Sequence, residues 1–278
     1  MNLLKDLLKI NYNTIKRFAK SFAFDPQIGT SIRETDRVKT HPPFTPGKTK
    51  IFGQNFEFSH GPSYVHSLEE IFADDLYKFE TATEAPLIID CGANYGLSVL
   101  YFRKLFPNAH IIAYEPDEAI FEMLKRNVDS MPNREQIELY KKAVWTQDTT
   151  LEFFSEGAMA GSVHVDYGAY NKKVVVDAID FKKVLNKKVD FLKIDIEGAE
   201  NDVIFDIKHK LHLVENLFLE YHGLHSEKQN LGDILQLLSI SGFHYIIKDA
   251  LPTLKKPYIQ RNADRPYSMQ LNIICYRP

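Results

Sequence analysis

Leu87-Ile-Ile-Asp-Cys-Gly-Ala-Asn-Tyr-Gly96 joins an apolar run to a glycine-pinched turn, after which Leu97-Ser-Val-Leu-Tyr-Phe102 begins an apolar helical pattern. The run reads as a buried strand with Asp90 at its carboxyl end, and Gly92 and Gly96 relax the backbone where strand gives way to helix. In an open α/β sheet such a junction is where a nucleotide-like ligand sits. Glycine spacing by itself fits an empty tight turn equally well. The second signal lies about twenty residues on, where an acidic residue can meet a ribose. There His110-Ile-Ile-Ala-Tyr-Glu115 is another apolar strand ending in an acid, and Pro116 opens a helix over Asp117 to Val128. Together the turn and the acid favour an adenosine-containing ligand.

Charge separates the candidate ligands. A dinucleotide brings a pyrophosphate, which needs bare backbone amides at a helix amino end. Here the middle position of the turn is Asn94, which carries a side chain, and the strand ends carry Asp90, Glu115, Asp195 and Glu197. A carboxylate-lined rim repels a pyrophosphate and suits the sulfonium and ammonium of S-adenosylmethionine.

Asp90-Cys-Gly-Ala-Asn-Tyr-Gly96, Tyr114-Glu-Pro116, Lys142-Ala-Val144 and Asp190-Phe-Leu-Lys-Ile-Asp-Ile-Glu-Gly-Ala-Glu200 together resemble the FkbM family of methyltransferases, over roughly residues 63–278. The resemblance implies an α/β fold of the class I methyltransferase type: a doubly wound, Rossmann-like, seven-stranded sheet with S-adenosylmethionine as donor. It also implies methylation of hydroxyl groups on sugars, glycans or polyketide-like metabolites. On that template Asp90, Gly92, Ala93, Asn94 and Gly96 shape the methionine pocket, Glu115 and Pro116 face the ribose, and Lys142 and Ala143 hold the adenine, with Asp195 close by.

The chain has 278 residues and a formal net charge of −3. That is enough for one large domain with an appendage, and it offers no general field for nucleic acid. Cys91 and Cys275 are too few and too isolated for a disulfide framework or a zinc site, so a reducing, cytoplasmic setting is expected. No run has the length of a membrane span, and no signal peptide is expected. Residues 1–62 read as an extension to a methyltransferase domain over 63–278. Within it, Leu3, Leu4, Leu7, Leu8, Tyr12, Ile15, Phe18 and Phe22 have helical spacing, with Lys5, Lys9, Lys16, Arg17 and Lys20 against Asp6. Such a basic amphipathic helix packs on its own domain or a sister subunit, or lies on the inner membrane face. Residues 25–49, with Pro42, Pro43 and Pro46, read as a linker, residues 50–58 as a hairpin, and Ser67 to Phe79 as a helix.

Further strands are expected at Ile137 to Tyr140, Val189 to Asp195 and Asn216 to Tyr221, with Phe243 to Lys248 and Met269 to Tyr276 as an antiparallel closing pair. Thr149 to Phe154 and Lys173 to Val176 flank a loop at 157–162, and Asp177 to Leu185 and Glu227 to Ser241 read as helices. The carboxyl ends of the fourth and fifth strands carry Asp195, Glu197, Glu220 and His222. An alcohol acceptor must lose its proton, and His222 is the first candidate base, oriented by Glu220 or Asp195. The competing reading is a magnesium or manganese ion held by Asp195, Glu197, Glu220 and His222. Lys193, mid-strand, is costly unless paired. Two rival functions stand beside methyl transfer: a nicotinamide-dependent oxidoreductase, and a non-catalytic module that binds the donor and a partner. The acceptor of a methyltransferase here is a small molecule or glycan.

Overall fold

The computed structural model describes residues 23–155, 161–162, 172–225, 227–250, 256, 258–259 and 267–278. The basic segment 1–22, most of the loop at 157–162 and most of the connection after Ala250 lie outside the described residues. The chain divides into two compact units, Met1–Leu76 and Tyr77–Pro278. The boundary thus falls beyond the expected residue 62.

The first unit is ordered where a linker was expected. Thr30–Ser31 pairs with Phe24–Asp25, and a helix follows over Ile32–Lys39. Ser31 caps that helix by accepting from the Glu34 amide at 3.3 Å. Ser31 and Glu34 have the spacing of a capping box, a local start signal that the proline cluster downstream outweighed in the sequence reading. Gly47–Ile51 and Gln54–Phe58 form the expected hairpin. The next helix begins at Gly61–Pro62, not at Ser67, runs to Leu68, and widens into a π-turn over Glu69–Ala73. Proline at the start of a helix lacks only an amide that would be unpaired anyway. Tyr64 of this helix packs on Phe56 and Phe58 of the hairpin, which is why it belongs to this unit.

The second unit is an α/β sheet of seven strands: β1 (Leu87–Cys91), β2 (His110–Tyr114), β3 (Ile137–Tyr140), β4 (Val189–Ile194), β5 (Val214–Leu224), β6 (His244–Asp249) and β7 (Tyr267–Tyr276). Their order is β3-β2-β1-β4-β5-β7-β6. β1 to β5 pair in parallel, and β7 inserts antiparallel between β5 and β6. This is the doubly wound, Rossmann-like architecture, with α1 (Leu97–Leu105), α2 (Glu118–Asp129), α3 (Glu200–Asp206) and α4 (Leu231–Ile240) as its main helices. The chain reverses its direction of winding between β1 and β4, so a crevice opens at their carboxyl ends.

Alternation along the strands gives the two faces different cores. Ile89, Leu192, Ile194, Leu217 and Leu219 pack with Val203, Ile204, Ile234 and Leu238 of α3 and α4. The other face is aromatic: Tyr77 lies 4.8 Å from Phe218, and Phe191 lies 4.8 Å from Phe79 and 5.2 Å from Phe102, between ring centroids. Two residues further along this aromatic face the side chains turn polar. Lys193 stands level with Asp90, and Glu220 and His222 stand level with Asn272 and Gln270.

A second sheet joins Ala143–Trp145, Thr149–Ser155, Gly161–Ser162 and Lys172–Asp180. Two expectations change here. The turn expected at Lys142 to Val144 leads into a strand whose Ala143 pairs in parallel with Ala178. The helix expected from Asp177 shrinks to Phe181–Val184, capped by Asp180, because Val176 and Ala178 continue a two-residue alternation into the core with Ala143 and Phe153. No helix among the described residues is long and apolar enough to cross a membrane.

Candidate active site at the mouth of the sheet

The turn after β1 is held from within. Gly92 has φ +84°, and a Cβ there would lie 1.9 Å from the Asp195 carbonyl oxygen, so only glycine lets the turn rest on the end of β4. The amides of Gly92 and Ala93 donate to the Tyr114 carbonyl at 3.1 and 2.9 Å. Asn94 (φ +49°) donates its amide to Glu115 Oε2 at 3.0 Å, Tyr95 donates to Asn94 Oδ1 at 2.7 Å, and Gly96 donates to the Ala93 carbonyl at 2.9 Å. Every amide from Gly92 to Gly96 is therefore spent inside the protein, which leaves this turn poor at cradling a pyrophosphate.

Glu115 and Asn94 meet through the Asn94 amide. Glu115 Oε1 also accepts from the Asp117 amide at 2.9 Å, and Asp117 in turn caps α2 through Ala119 and Ile120. Burial pushes the Glu115 carboxyl up to about 8. Each of its oxygens has taken one amide and keeps acceptor capacity for a hydroxyl. Pro116 beside it is half-buried. Lys142 is half-buried at the entrance to the second sheet, and Ala143 is inside that sheet's core.

Asp90 is fully buried and belongs to the foundations of the pocket. Its Oδ2 accepts from Ser98 Oγ at 2.5 Å, and its Oδ1 lies 3.3 Å from Lys193 Nζ. Lys193 also reaches Asp195 Oδ2 at 3.2 Å and donates to the Gly92 carbonyl at 2.8 Å. Burial opposes its charge, but Asp195 and Asp90 outweigh burial and hold the ammonium well above its usual range. The costly mid-strand lysine is thus paired, and it joins the glycine turn to the end of β4.

Beyond β4, Glu197 takes φ +55°, a rare conformation for a residue with a side chain. Its Oε2 accepts from the Tyr267 hydroxyl at 2.7 Å and lies 3.4 Å from His222 Nε2. Glu220 Oε1 is 3.7 Å from the same nitrogen and accepts from Gln270 Nε2. The imidazole is oriented by Glu200, not by Glu220 or Asp195: Glu200 Oε1 lies 2.8 Å from His222 Nδ1. Burial opposes charge on His222, yet Glu200 and Glu197 raise it well above its ordinary range. Burial, then Asp195, pushes Glu220 up to about 8, with His222 opposing. Burial likewise raises Glu197.

Exposure ranks these groups. The side chains of Asp195, Glu197 and Glu220 are 24%, 19% and 15% exposed, whereas His222 is 0% exposed. Three carboxyls therefore face the crevice, with the Lys193 ammonium and the buried His222 ring behind them. Ligand-capable atoms of Asp195, Glu220 and His222 lie within 4.8 Å of one another, so this trio could hold a cation. Glu200, Tyr267 and Gln270 were not singled out from the sequence. Nor was Tyr77, whose hydroxyl burial keeps protonated in the field of Lys193 and Asp195. The one legible signal for Glu200 was its place at the end of the Asp190–Glu200 string.

Comparison with known proteins identifies the family. The methyltransferase FkbM domain matches residues 90–245. The chain belongs to the FkbM methyltransferase family. It is 26% identical over 206 residues to Methyltransferase 1 of Beauveria bassiana (strain ARSEF 2860), a match covering 65% of this chain and 80% of that protein. It is 29% identical over 192 residues to Methyltransferase sdnD of Sordaria araneosa, covering 55% and 72%. Among solved structures, methyltransferase FkbM from Methylobacillus flagellatus KT aligns with TM-score 0.47 and 14% identity. That alignment covers 71% of this chain and 45% of the other. The family resemblance read from the four motifs is borne out, and the protein is a methyltransferase.

Proposed function

We propose that this methyltransferase uses S-adenosylmethionine to methylate a hydroxyl group on a sugar, glycan or related small metabolite. One observation carries the reading: Asp195, Glu197 and Glu220 are the charged side chains described facing the crevice beside the glycine turn, while the cations behind them are buried. In their ionised form these carboxyls favour a cationic donor by Coulomb attraction in a poorly solvated site. S-adenosylmethionine also fits the rest of the site, since Glu115 keeps acceptor capacity for the ribose and a turn whose amides are already spent does not demand a phosphate.

When bound, S-adenosylmethionine supplies an electrophilic methyl carbon. The residues of this chain bind, orient and manage a proton. Lys193 holds Asp90, the Gly92 carbonyl and Asp195 in one network. Glu220, pushed up to about 8 by burial and partly exposed, would in its ionised form accept the proton of the acceptor hydroxyl. Asp195 would orient the hydroxyl, and His222, behind them, would hold Glu197 and Glu220 in place through Nε2. Lys142, half-buried, and the backbone at Ala143 would border the adenine. The free, buried thiols of Cys91 and Cys275 support a reducing, cytoplasmic setting.

The test is transfer of a deuterated methyl group to a panel of methyl hexosides, read by mass spectrometry. Labelled product from at least one hexoside is expected. Transfer only to amines, or only to nucleic acid, would overturn the acceptor class. A second reading follows from the proximity of Asp195, Glu220 and His222, which fits a magnesium or manganese ion that acidifies the hydroxyl. Loss of transfer on exhaustive chelation, restored by either metal, would install it in place of the Glu220 base.

A further inference from the structure

We propose that Glu200 is the positioning residue of this site: it fixes the His222 ring, and through that ring the two crevice-facing carboxyls, Glu197 and Glu220. The inference rests on the methyl-transfer reading and deepens it.

The geometry comes from one fully buried carboxyl. Glu200 is 0% exposed at the start of α3. Its Oε1 accepts from the His222 main-chain amide at 2.8 Å and meets Nδ1 of the ring at the same distance. Its Oε2 accepts from the Gly198 amide at 2.8 Å. Two of these bonds tie the end of β5 to the start of α3, and the third holds the left-handed turn that presents Glu197. With Nδ1 engaged, the other ring nitrogen is aimed at Gln270 Nε2 (3.0 Å), Glu197 Oε2 (3.4 Å) and Glu220 Oε1 (3.7 Å). Tyr267 closes the arrangement, its ring tilted at 55° to the imidazole with centroids 4.7 Å apart, and its hydroxyl donating to Glu197. A ring turned over would set carbon against a buried carboxylate, at the full cost of leaving a polar group unpaired.

Glu200 therefore does for this imidazole what a buried carboxylate does in other acid–base sites: it selects which nitrogen faces the chemistry. It touches neither donor nor acceptor. A helix-capping role alone would use Oε2 and leave the ring indifferent. The two roles separate on Glu200→Gln: with its oxygen on the Gly198 amide it keeps the turn, while its NH2 faces the His222 amide and Nδ1 in place of the carboxylate.

The experiment records nitrogen NMR spectra of histidine-labelled protein at neutral pH, wild type against Glu200→Gln, with His222→Asn to assign the ring. The same samples are titrated with S-adenosylhomocysteine and assayed on the methyl hexoside panel. The expected result is a wild-type ring with Nδ1 protonated and strongly hydrogen-bonded. In Glu200→Gln that signature is lost, product binding is unchanged, and turnover falls at least about tenfold. Unchanged ring signals in the variant, or altered signals with wild-type turnover, would overturn the inference. If Glu200→Gln does not fold, the wild-type spectrum decides, because a ring protonated only at Nε2 contradicts the geometry. Failure of the broader reading is separate: wild type that neither binds the product nor transfers methyl, with the ring signature intact, removes the function and leaves the Glu200–His222 geometry standing.

Discussion

On one side of the sheet mouth the turn from Gly92 to Gly96 is fixed almost wholly by backbone hydrogen bonds and the single carboxyl of Glu115. On the other side Asp195, Glu197, Glu200 and Glu220 crowd around buried His222, with Lys193 between the two regions. The first region is shaped by conformation, the second by charge. A region built from backbone tolerates changes of side chain and fails when a Cβ is added. A region built from buried charges fails when any one partner is removed.

The largest effect should come from the residue that joins the two. Lys193→Met leaves Asp90 and Asp195 without their shared cation, and removing one partner of a buried pair costs about 3–5 kcal/mol. Chemical denaturation should register that loss, and S-adenosylhomocysteine affinity should fall with it. A variant as stable as wild type would mean the two regions are not coupled through this ammonium.

Next comes Glu220→Gln, which should lower turnover by about two to four orders of magnitude while leaving product affinity unchanged. Equal losses in both would place Glu220 in the donor pocket and erase the distinction drawn above. Glu115→Gln should do the reverse. Leaving a buried ribose hydroxyl without its acceptor costs roughly 1–3 kcal/mol, so calorimetry should show binding weakened about fivefold or more, with turnover at saturating donor preserved.

How much of this was legible follows the same division. The glycine turn was read correctly because its signals are local: an apolar strand, an acid, two glycines and an apolar helix within sixteen residues of sequence, Leu87 to Phe102. The charged cluster was legible only as positions. Asp195, Glu197, Glu220 and His222 do converge, but their roles depend on burial and on partners far away in sequence. Glu200 lies 22 residues from His222, Tyr267 lies 70 from Glu197, and Lys193 lies 101 from Gly92. No local pattern says that the histidine is wholly enclosed while the carboxyls reach the crevice. In the first unit the failure was of weighting, since three prolines masked the cap at Ser31.

The smallest expected effect concerns pH. Glu115 has a carboxyl raised by burial from 4.5 to about 8, so its neutral form is the one that favours folding. Its contribution is fully present below the ordinary value and is lost as pH rises through the folded one. The melting temperature of ligand-free protein should therefore decline between these limits, and decline less in Glu115→Gln. Parallel curves for the two proteins would show that the carboxylate is already ionised and solvated.

The central claim is that a carboxyl-rich crevice beside a turn with no spare amides takes a cationic methyl donor and refuses a pyrophosphate. Calorimetric titration of the whole chain with S-adenosylmethionine, and separately with NAD and NADP, tests it most directly. The account predicts saturable binding of S-adenosylmethionine and no heat from either dinucleotide. Saturable binding of a dinucleotide, with none of S-adenosylmethionine, would contradict it.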